Sequence, residues 1–145
     1  MSRVYLITAD KPLLLCARQS ERESTVTVEG EAFTISFVRG FRVSEHHYYR
    51  CAVDRLGYSM KSWQYELEAE VHETDLSHLK SYLRENFRSG EVAELWSLWV
   101  GNDRSDSFPH YSCRLEDLDL GILERFLNPG LKGGVPDQCR MTITI

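Results

Sequence analysis

The feature that most constrains the fold is an apolar pattern that occurs twice, 44 residues apart. Asp75-Leu76-x-x-Leu79-x-x-Tyr82-Leu83 recurs as Asp119-Leu120-x-x-Leu123-x-x-Phe126-Leu127. Apolar residues at this spacing form one face of an α-helix, and an aspartate near a helix start is a capping or dipole-complementing residue. The pattern predicts two amphipathic helices in equivalent positions of two sequence repeats.

Strand-like segments flank both helices at matching distances. Trp63–Val71 alternates between apolar and polar residues, as does a strand with one buried face. The same offset places Leu95–Val100 on Cys139–Thr144. Two successive strand–helix–strand units favour an α+β fold with a ferredoxin-like βαββαβ core and an antiparallel sheet. We expect this core to span residues 63–145.

The sequence of residues 1–62 indicates smaller elements that pack on this core. Val4–Thr8 is a short apolar run typical of a strand. Thr25–Val28 and Phe33–Val38 alternate on either side of Glu29-Gly30-Glu31, a pattern typical of a β-hairpin. At 145 residues the chain is long enough for one core, so we expect a single domain over residues 1–145.

A helix is also predicted in the N-terminal part, from Ser44 to Leu56. Ser44 is a typical N-cap residue, and Gly57 follows the last apolar residue, as a C-terminal glycine does. One alternative stays open, in which Phe33–Val38, this helix and Trp63–Val71 form a βαβ unit of their own.

The repeats assign the two faces of the predicted sheet. One face is apolar and is expected to lie under the two helices. Its residues are Trp63, Tyr65, Leu67, Ala69, Val71, Leu95, Trp99, Tyr111, Cys113, Leu115, Cys139, Met141, Ile143 and Ile145. Burial of this apolar surface, at about 25 cal/mol per Å², would dominate the free energy of unfolding.

The opposite face carries the candidate ligand-binding or acid–base site. Neighbouring carboxylates shift the pKa values of one another, and arginines hold anionic groups. The same charges could instead form cross-strand pairs on a solvated sheet surface, which we regard as the simpler interpretation. The candidate residues are Glu66, Glu68, His110, Arg114 and Arg140.

The strand at 93–100 departs from this polarity. Trp96, Leu98 and Val100 point to the polar face, so this strand is apolar on both faces. Apolar side chains at this position need a cover, which could be the N-terminal half, a second subunit or a ligand. If they are exposed, they form a candidate interaction surface.

The charge distribution bears on the kind of partner. Residues 1–62 contain nine basic and seven acidic residues, whereas residues 63–145 contain eight and fifteen. An acidic C-terminal half argues against nucleic-acid binding, which requires a basic surface. It is compatible with a basic protein partner.

No motif indicates a cofactor, a metal or a catalytic mechanism. His46 and His47, with Cys51 downstream, form the only dense His/Cys group, and His47 and Cys51 share a helical face at a spacing that suits a metal. Further ligands and CxxC or HxxxH motifs are lacking, so we predict no metal site. A Cys/His nucleophile pair could be drawn from Cys113, Cys139 and His110, but the alternation places His110 on the opposite face from Cys113, which argues against it.

The same features give the expected location and function. Without a CxxC pair, a signal peptide or a membrane-spanning apolar run, the sequence favours reduced thiols in a cytoplasmic, non-membrane protein. We expect a non-enzymatic binding or protein-interaction module, acting on a protein partner or as a homodimer. The alternative is a small-molecule-binding protein or enzyme that uses the polar face.

Overall fold

The computed structural model describes residues 2–145, except for the side chains of residues 19–22 and 37–39. The strands are β1 (Ser2–Ala9), β2 (Cys16–Val28), β3 (Glu31–Glu45), β4 (Trp63–Glu68), β5 (Val92–Val100), β6 (His110–Arg114), β7 (Leu131–Lys132), β8 (Val135–Pro136) and β9 (Cys139–Thr144). The helices are α1 (Arg50–Asp54), α2 (Glu73–Asn86) and α3 (Leu120–Leu127), with a single 3₁₀ turn at Leu115–Asp117.

Seven strands form one mixed sheet in the order β2-β3-β4-β1-β5-β9-β6. All neighbouring strands are antiparallel except β6 and β9, which are parallel. Strands β7 and β8 form a separate two-stranded ribbon. The predicted α+β class is therefore confirmed, with a mostly antiparallel sheet and three helices in the described chain.

The ferredoxin-like order of residues 63–145 is not confirmed. That arrangement requires β4 and β6 to be neighbours in the centre of the sheet, whereas β1 lies between β4 and β5, and β6 forms an outer edge. Residues 1–62 therefore contribute strands to the sheet itself rather than only packing on it. The physical reason lies in polarity: most residues of β1 are buried and the others are partly buried, whereas β6 alternates between partly buried and exposed residues, as an edge strand does.

The two repeats nevertheless share an arrangement. In the first repeat, β4 and β5 run parallel with β1 between them, and α2 connects them. In the second, β6 and β9 are parallel neighbours connected through α3. The repeated sequence pattern therefore corresponds to two strand–helix–strand units that differ in whether a third strand lies between the parallel pair.

Helices α2 and α3 cover one face of the sheet and form the larger core. Leu79, Leu83, Leu123 and Phe126 are buried on the helices, as the apolar spacing predicted. They pack on sheet residues that include Ile7, Phe41, Tyr65, Leu67, Leu95, Met141 and Ile143. The predicted apolar face is thus confirmed in its central part, while Trp63 and Val71 at its margin are exposed.

Both helices begin with polar side chains that accept hydrogen bonds from free backbone amides. The Asp119 carboxylate accepts from the amide of Ile122 at 2.8 Å, as an N-cap residue does. In α2 the cap is His72 instead of Asp75, and its Nδ1 accepts from the Thr74 amide at 3.1 Å. Asp75 lies one turn further in and accepts from the Glu70 amide at 2.8 Å, which ties the loop before α2 to the helix.

The predicted helix over 44–56 is wrong at its start. Ser44 and Glu45 continue β3 and pair with Glu66 and Tyr65 of β4, and the helix is the short α1. A serine before an apolar stripe is a local signal, and the ladder to β4 outweighs it. Helix α1 lies on the face opposite α2 and α3, where Val53 packs on a second, smaller core.

The predicted hairpin is much longer than its sequence signal. Strands β2 and β3 pair continuously from Cys16↔Val43 to Val28↔Glu31, whereas β3 pairs with β4 only from Arg42 to Glu45. The remaining part extends beyond the rest of the sheet as a two-stranded ribbon of roughly 35 Å, at about 3.3 Å per residue. Glu29 and Gly30 form its turn, both with positive φ, as in a type I′ turn.

Candidate functional site

The structure brings together only two of the five predicted site residues. His110 and Arg140 are direct neighbours on β6 and β9, with His110 Nδ1 3.1 Å from Arg140 Nη2. Glu66 lies in the same transverse row on β4, but β1 and β5 separate it from Arg140, so the two backbones are about 14 Å apart.

The other two predicted residues form separate pairs at the surface. Glu68 pairs with Arg42 of the neighbouring strand β3. Arg114 lies at the far end of β6 and pairs with Glu116 at 3.2 Å, with both side chains largely exposed. Exposed pairs of this kind contribute about 0–1 kcal/mol each, as the simpler interpretation of these charges supposed.

Two of the three residues of the predicted interaction surface are buried. Trp96 is 1% and Leu98 0% exposed, and Val100 is partly buried, so these side chains do not form an exposed patch. Of the three covers considered, the N-terminal part supplies most, through α1 and the segment that follows it. The covering residues are Tyr49, Val53, Leu56, Tyr58, Met60 and, from the C-terminal half, Phe108.

An aromatic stack at the edge of this smaller core fixes Arg140 in place. The rings of Tyr58 and Phe108 are nearly parallel, with centroids 4.7 Å apart, and Phe108 stacks on Trp96 at 5.8 Å. The Arg140 guanidinium carbon lies 5.3 Å from the Trp96 ring centroid, within cation–π range. Trp96 donates its indole N–H to the Thr8 hydroxyl at 3.3 Å.

A polar groove of about 570 Å³ opens beside Arg140. It is lined by residues of β5 and β9 and by residues 59–62, which precede β4. Charged side chains and hydroxyl groups line the groove. The polar side chains around it are Asp10, Ser59, Lys61, Ser62, Glu94, Arg140 and Thr142.

The groove contains two pairs of opposite charge. Lys61 forms an ion pair with Asp10, while Arg140 Nη1 lies 3.8 Å from the Glu94 carboxylate, beyond hydrogen-bond distance. The Glu94 side chain is 14% exposed, and Arg140 Nε is buried without a hydrogen-bond partner among the described residues. Buried polar groups of this kind ordinarily have a partner.

A second groove, of about 650 Å³, lies at the C-terminal end of α2. Arg84, Arg114 and Glu116 surround it, above the apolar side chains of Phe87 and Leu115. Arg114, one of the predicted site residues, therefore belongs to this groove and not to the surroundings of Arg140.

The histidines and cysteine considered as metal ligands are not brought together. The His46 ring is buried with its Nδ1 3.3 Å from Glu66, and burial lowers its pKa from the usual value. His47 is exposed and contacts Glu45 at 2.6 Å, and Cys51 is an exposed free thiol. Across residues 2–145, with the side-chain gaps given above, the structure shows no group of three or more residues suited to metal binding.

The two cysteines considered as nucleophiles are held as thiols. Burial raises the pKa of the Cys139 thiol to about 11 and also raises the pKa of Cys113. Cys113 and His110 alternate along β6, so they point to opposite faces. This arrangement does not activate a thiolate.

Among the described residues, four exposed apolar side chains lie together on one face of the β2–β3 ribbon. Val26 pairs directly with Phe33, so the two side chains share a face, and Val28 and Ile35 lie on the same face by alternation. Their exposed fractions are 39% for Val26, 54% for Val28, 49% for Phe33 and 50% for Ile35. We call these four residues the ribbon face. The opposite face of the ribbon carries Thr25, Thr27 and Thr34.

Sequence reasoning missed both the ribbon face and the groove. The alternation of Thr25–Val28 and Phe33–Val38 predicted the hairpin, but it did not show that the hairpin extends beyond the sheet. Glu94 shares its phase with Trp96 and so lies on the polar face, but it was not among the predicted site residues. Lys61 and Asp10 reach the groove from loops, where periodicity carries no signal.

No helix among the described residues is long and apolar enough to cross a membrane. Comparisons with protein-family models, curated proteins and solved structures found no match to this chain.

Proposed function

We propose that this protein is a non-enzymatic protein-interaction module whose contact surface is the ribbon face. The main support is that four large apolar side chains on one face of a projecting ribbon are 39–54% exposed. Contiguous exposed apolar surface is typical of sites that bind another protein. The contact predicted at Trp96, Leu98 and Val100 is thereby replaced by one on β2 and β3.

The stability of the ribbon supports the same conclusion. An isolated two-stranded hairpin is marginally stable in water, and it gains stability when an apolar face packs on another element. Residues 31–41 of β3 pair only with β2 in the described sheet. A protein that packs on the ribbon face would remove this apolar area from water at about 25 cal/mol per Å².

The backbone of β2 offers a second means of contact. Strand β2 is one of the two edge strands of the described sheet and has β3 as its neighbour on one side. Its outward N–H and C=O groups can pair with an additional strand, a common mode of protein recognition. A partner strand would extend the sheet while its side chains pack beside the ribbon face.

Charge and thiol chemistry support the class of partner and the compartment. The net charge of −5 disfavours a nucleic acid, leaving another protein or a second copy of this chain as the partner. The four cysteines are free, in keeping with the cytoplasmic location inferred from the sequence.

Site-specific photo-crosslinking tests the proposal. We would incorporate p-benzoylphenylalanine in place of Phe33 or of Thr34, which are adjacent and exposed but lie on opposite faces of the ribbon. Irradiation of cells that naturally contain the protein is expected to give a discrete adduct from position 33 and several-fold less from position 34. The adduct mass distinguishes a second copy of the chain from a different protein.

Two further substitutions make the result specific. Adding Ile35→Lys to the position-33 variant is expected to abolish the adduct because it places a charge in the ribbon face. Thr27→Lys, a charge of the same kind on the opposite face, is expected to leave it. Equal adduct yields from positions 33 and 34, or an adduct that survives Ile35→Lys, would contradict the proposal.

A further inference from the structure

We propose that the groove between residues 59–62 and strands β5 and β9 binds a small zwitterion, an α-amino acid. This site is independent of the ribbon face, which lies on the other side of β4 and β1 in the sheet order. The volume of about 570 Å³ lies within the range of small-molecule sites, about 300–1,000 Å³.

The arrangement of charges selects this class of ligand. The groove contains two pairs of an acidic and a basic side chain, Asp10 with Lys61 and Glu94 with Arg140. Because the four formal charges cancel, the groove as a whole favours neither a simple anion nor a simple cation. A ligand with an ammonium and a carboxylate group gains from both signs, with the ammonium at Glu94 and the carboxylate at Arg140.

Glu94 and Arg140 are open to such a ligand. Their nearest charged atoms are 3.8 Å apart and do not hydrogen-bond to each other, so each keeps hydrogen-bonding capacity for a ligand in the groove. No described group donates a hydrogen bond to the Glu94 carboxylate, and its side chain is largely enclosed. A carboxylate in this setting binds an ammonium group more strongly than one in bulk water, because solvent screening is reduced.

Arg140 is held in position before any ligand arrives. The Trp96 ring supports one face of its guanidinium, and its Nη2 lies 3.1 Å from His110 Nδ1. Trp96 itself is fixed by the hydrogen bond to Thr8 and by stacking on Phe108. A side chain that is already ordered loses little conformational entropy on binding, so more of the interaction energy appears as affinity.

Two-dimensional amide NMR of the full chain tests the proposal. Each of the common L-amino acids would be added at millimolar concentration. At least one is expected to shift the amide signals of Ser59, Ser62 and Thr142 in a saturable way. For the amino acid that binds most tightly, the methyl ester lacks the carboxylate charge and the N-acetyl derivative lacks the ammonium charge. Both are expected to bind on the order of tenfold more weakly, since each loses one charge-assisted hydrogen bond.

Matched variants locate the site. Glu94→Gln keeps the shape of the side chain and removes its charge, so it is expected to weaken binding on the order of tenfold. Glu116→Gln makes the same change in another Glu–Arg pair, in which Glu116 lies 3.2 Å from Arg114. This pair lines the other groove, so the substitution is expected to leave the affinity unchanged. Thr142→Val serves as a second groove variant and is expected to weaken binding several-fold.

Three results would overturn the proposal. The first is that no amino acid shifts the groove amides, and the second is that an ester or N-acetyl derivative binds as tightly as its parent. The third is that Glu94→Gln and Glu116→Gln change the affinity equally. None of these results bears on the ribbon face, since the crosslinking experiment uses different residues and a different readout.

Discussion

Replacing Trp96 with alanine is expected to lower the free energy of unfolding by about 3–5 kcal/mol, as for other large buried aromatic residues. Trp96 is 1% exposed and contacts both the aromatic stack and the Thr8 hydroxyl. The substitution would leave a cavity between the sheet and the segment that follows α1, and would leave the Arg140 guanidinium without its aromatic support. Urea denaturation monitored by circular dichroism measures the loss.

Trp63→Ala is the matched control. Trp63 is 45% exposed at the margin of β4, and its removal creates no enclosed cavity. Its loss is expected to cost at most about 1 kcal/mol. If the two substitutions destabilise the protein equally, Trp96 is not enclosed. The interaction surface predicted from the sequence at Trp96 would then have to be reconsidered.

Residues 63–145 are expected not to fold when they are expressed without residues 1–62. Strand β4 pairs with β1 and β3 in the described sheet, and both neighbours come from the N-terminal part. The fragment would lack those pairings and would expose Trp96 and Leu98, which α1 and the residues after it cover. We expect a spectrum with poorly dispersed amide signals and no cooperative thermal transition, whereas the full chain shows both dispersion and cooperativity.

Adding residues 1–62 as a separate chain provides the control for this fragment. If the missing strand pairings cause the failure, the two pieces together should regain dispersed amide signals. A fragment 63–145 that folds cooperatively by itself would support the ferredoxin-like half and contradict the observed strand order.

The sequence predicted the individual helices and strands better than it predicted which strands lie next to one another. The apolar spacing in 75–83 and 119–127 predicted α2 and α3, and alternation assigned the core side of β4 and β9. Both signals are local, since they depend on residues a few positions apart. The insertion of β1 between β4 and β5 is a long-range pairing, and no alternation within 63–145 indicates it.

One clue to the strand order was present in two segments. Val4–Thr8 and the strand around Trp96 are both apolar on both faces, and such strands belong at the centre of a sheet covered on both sides. They are in fact neighbours, with Leu6 opposite Trp96. Polarity therefore indicated that both were central, but it did not identify β4 as the strand on the other side of β1.

The candidate site was predicted less well because alternation indicates the face of the sheet to which a side chain points, but not how far apart two side chains lie. It correctly placed Glu66 and Arg140 on the same face, yet the apolar residues Leu6 and Trp96 lie between them. The groove also depends on Lys61 and Asp10, which reach it from loops. Loop conformation follows from packing and not from periodicity, so neither residue was identifiable in advance.

Strand β1 contributes residues to both cores and connects β4 with β5 in the sheet, so its pairing is tested first. Cross-strand nuclear Overhauser effects from the backbone protons of Leu6 measure it directly. The observed strand order predicts contacts from Leu6 to both Glu66 and Trp96, its partners on the two neighbouring strands. Contacts between the backbones of Tyr65 and Tyr111 would instead place β4 beside β6 and contradict that order.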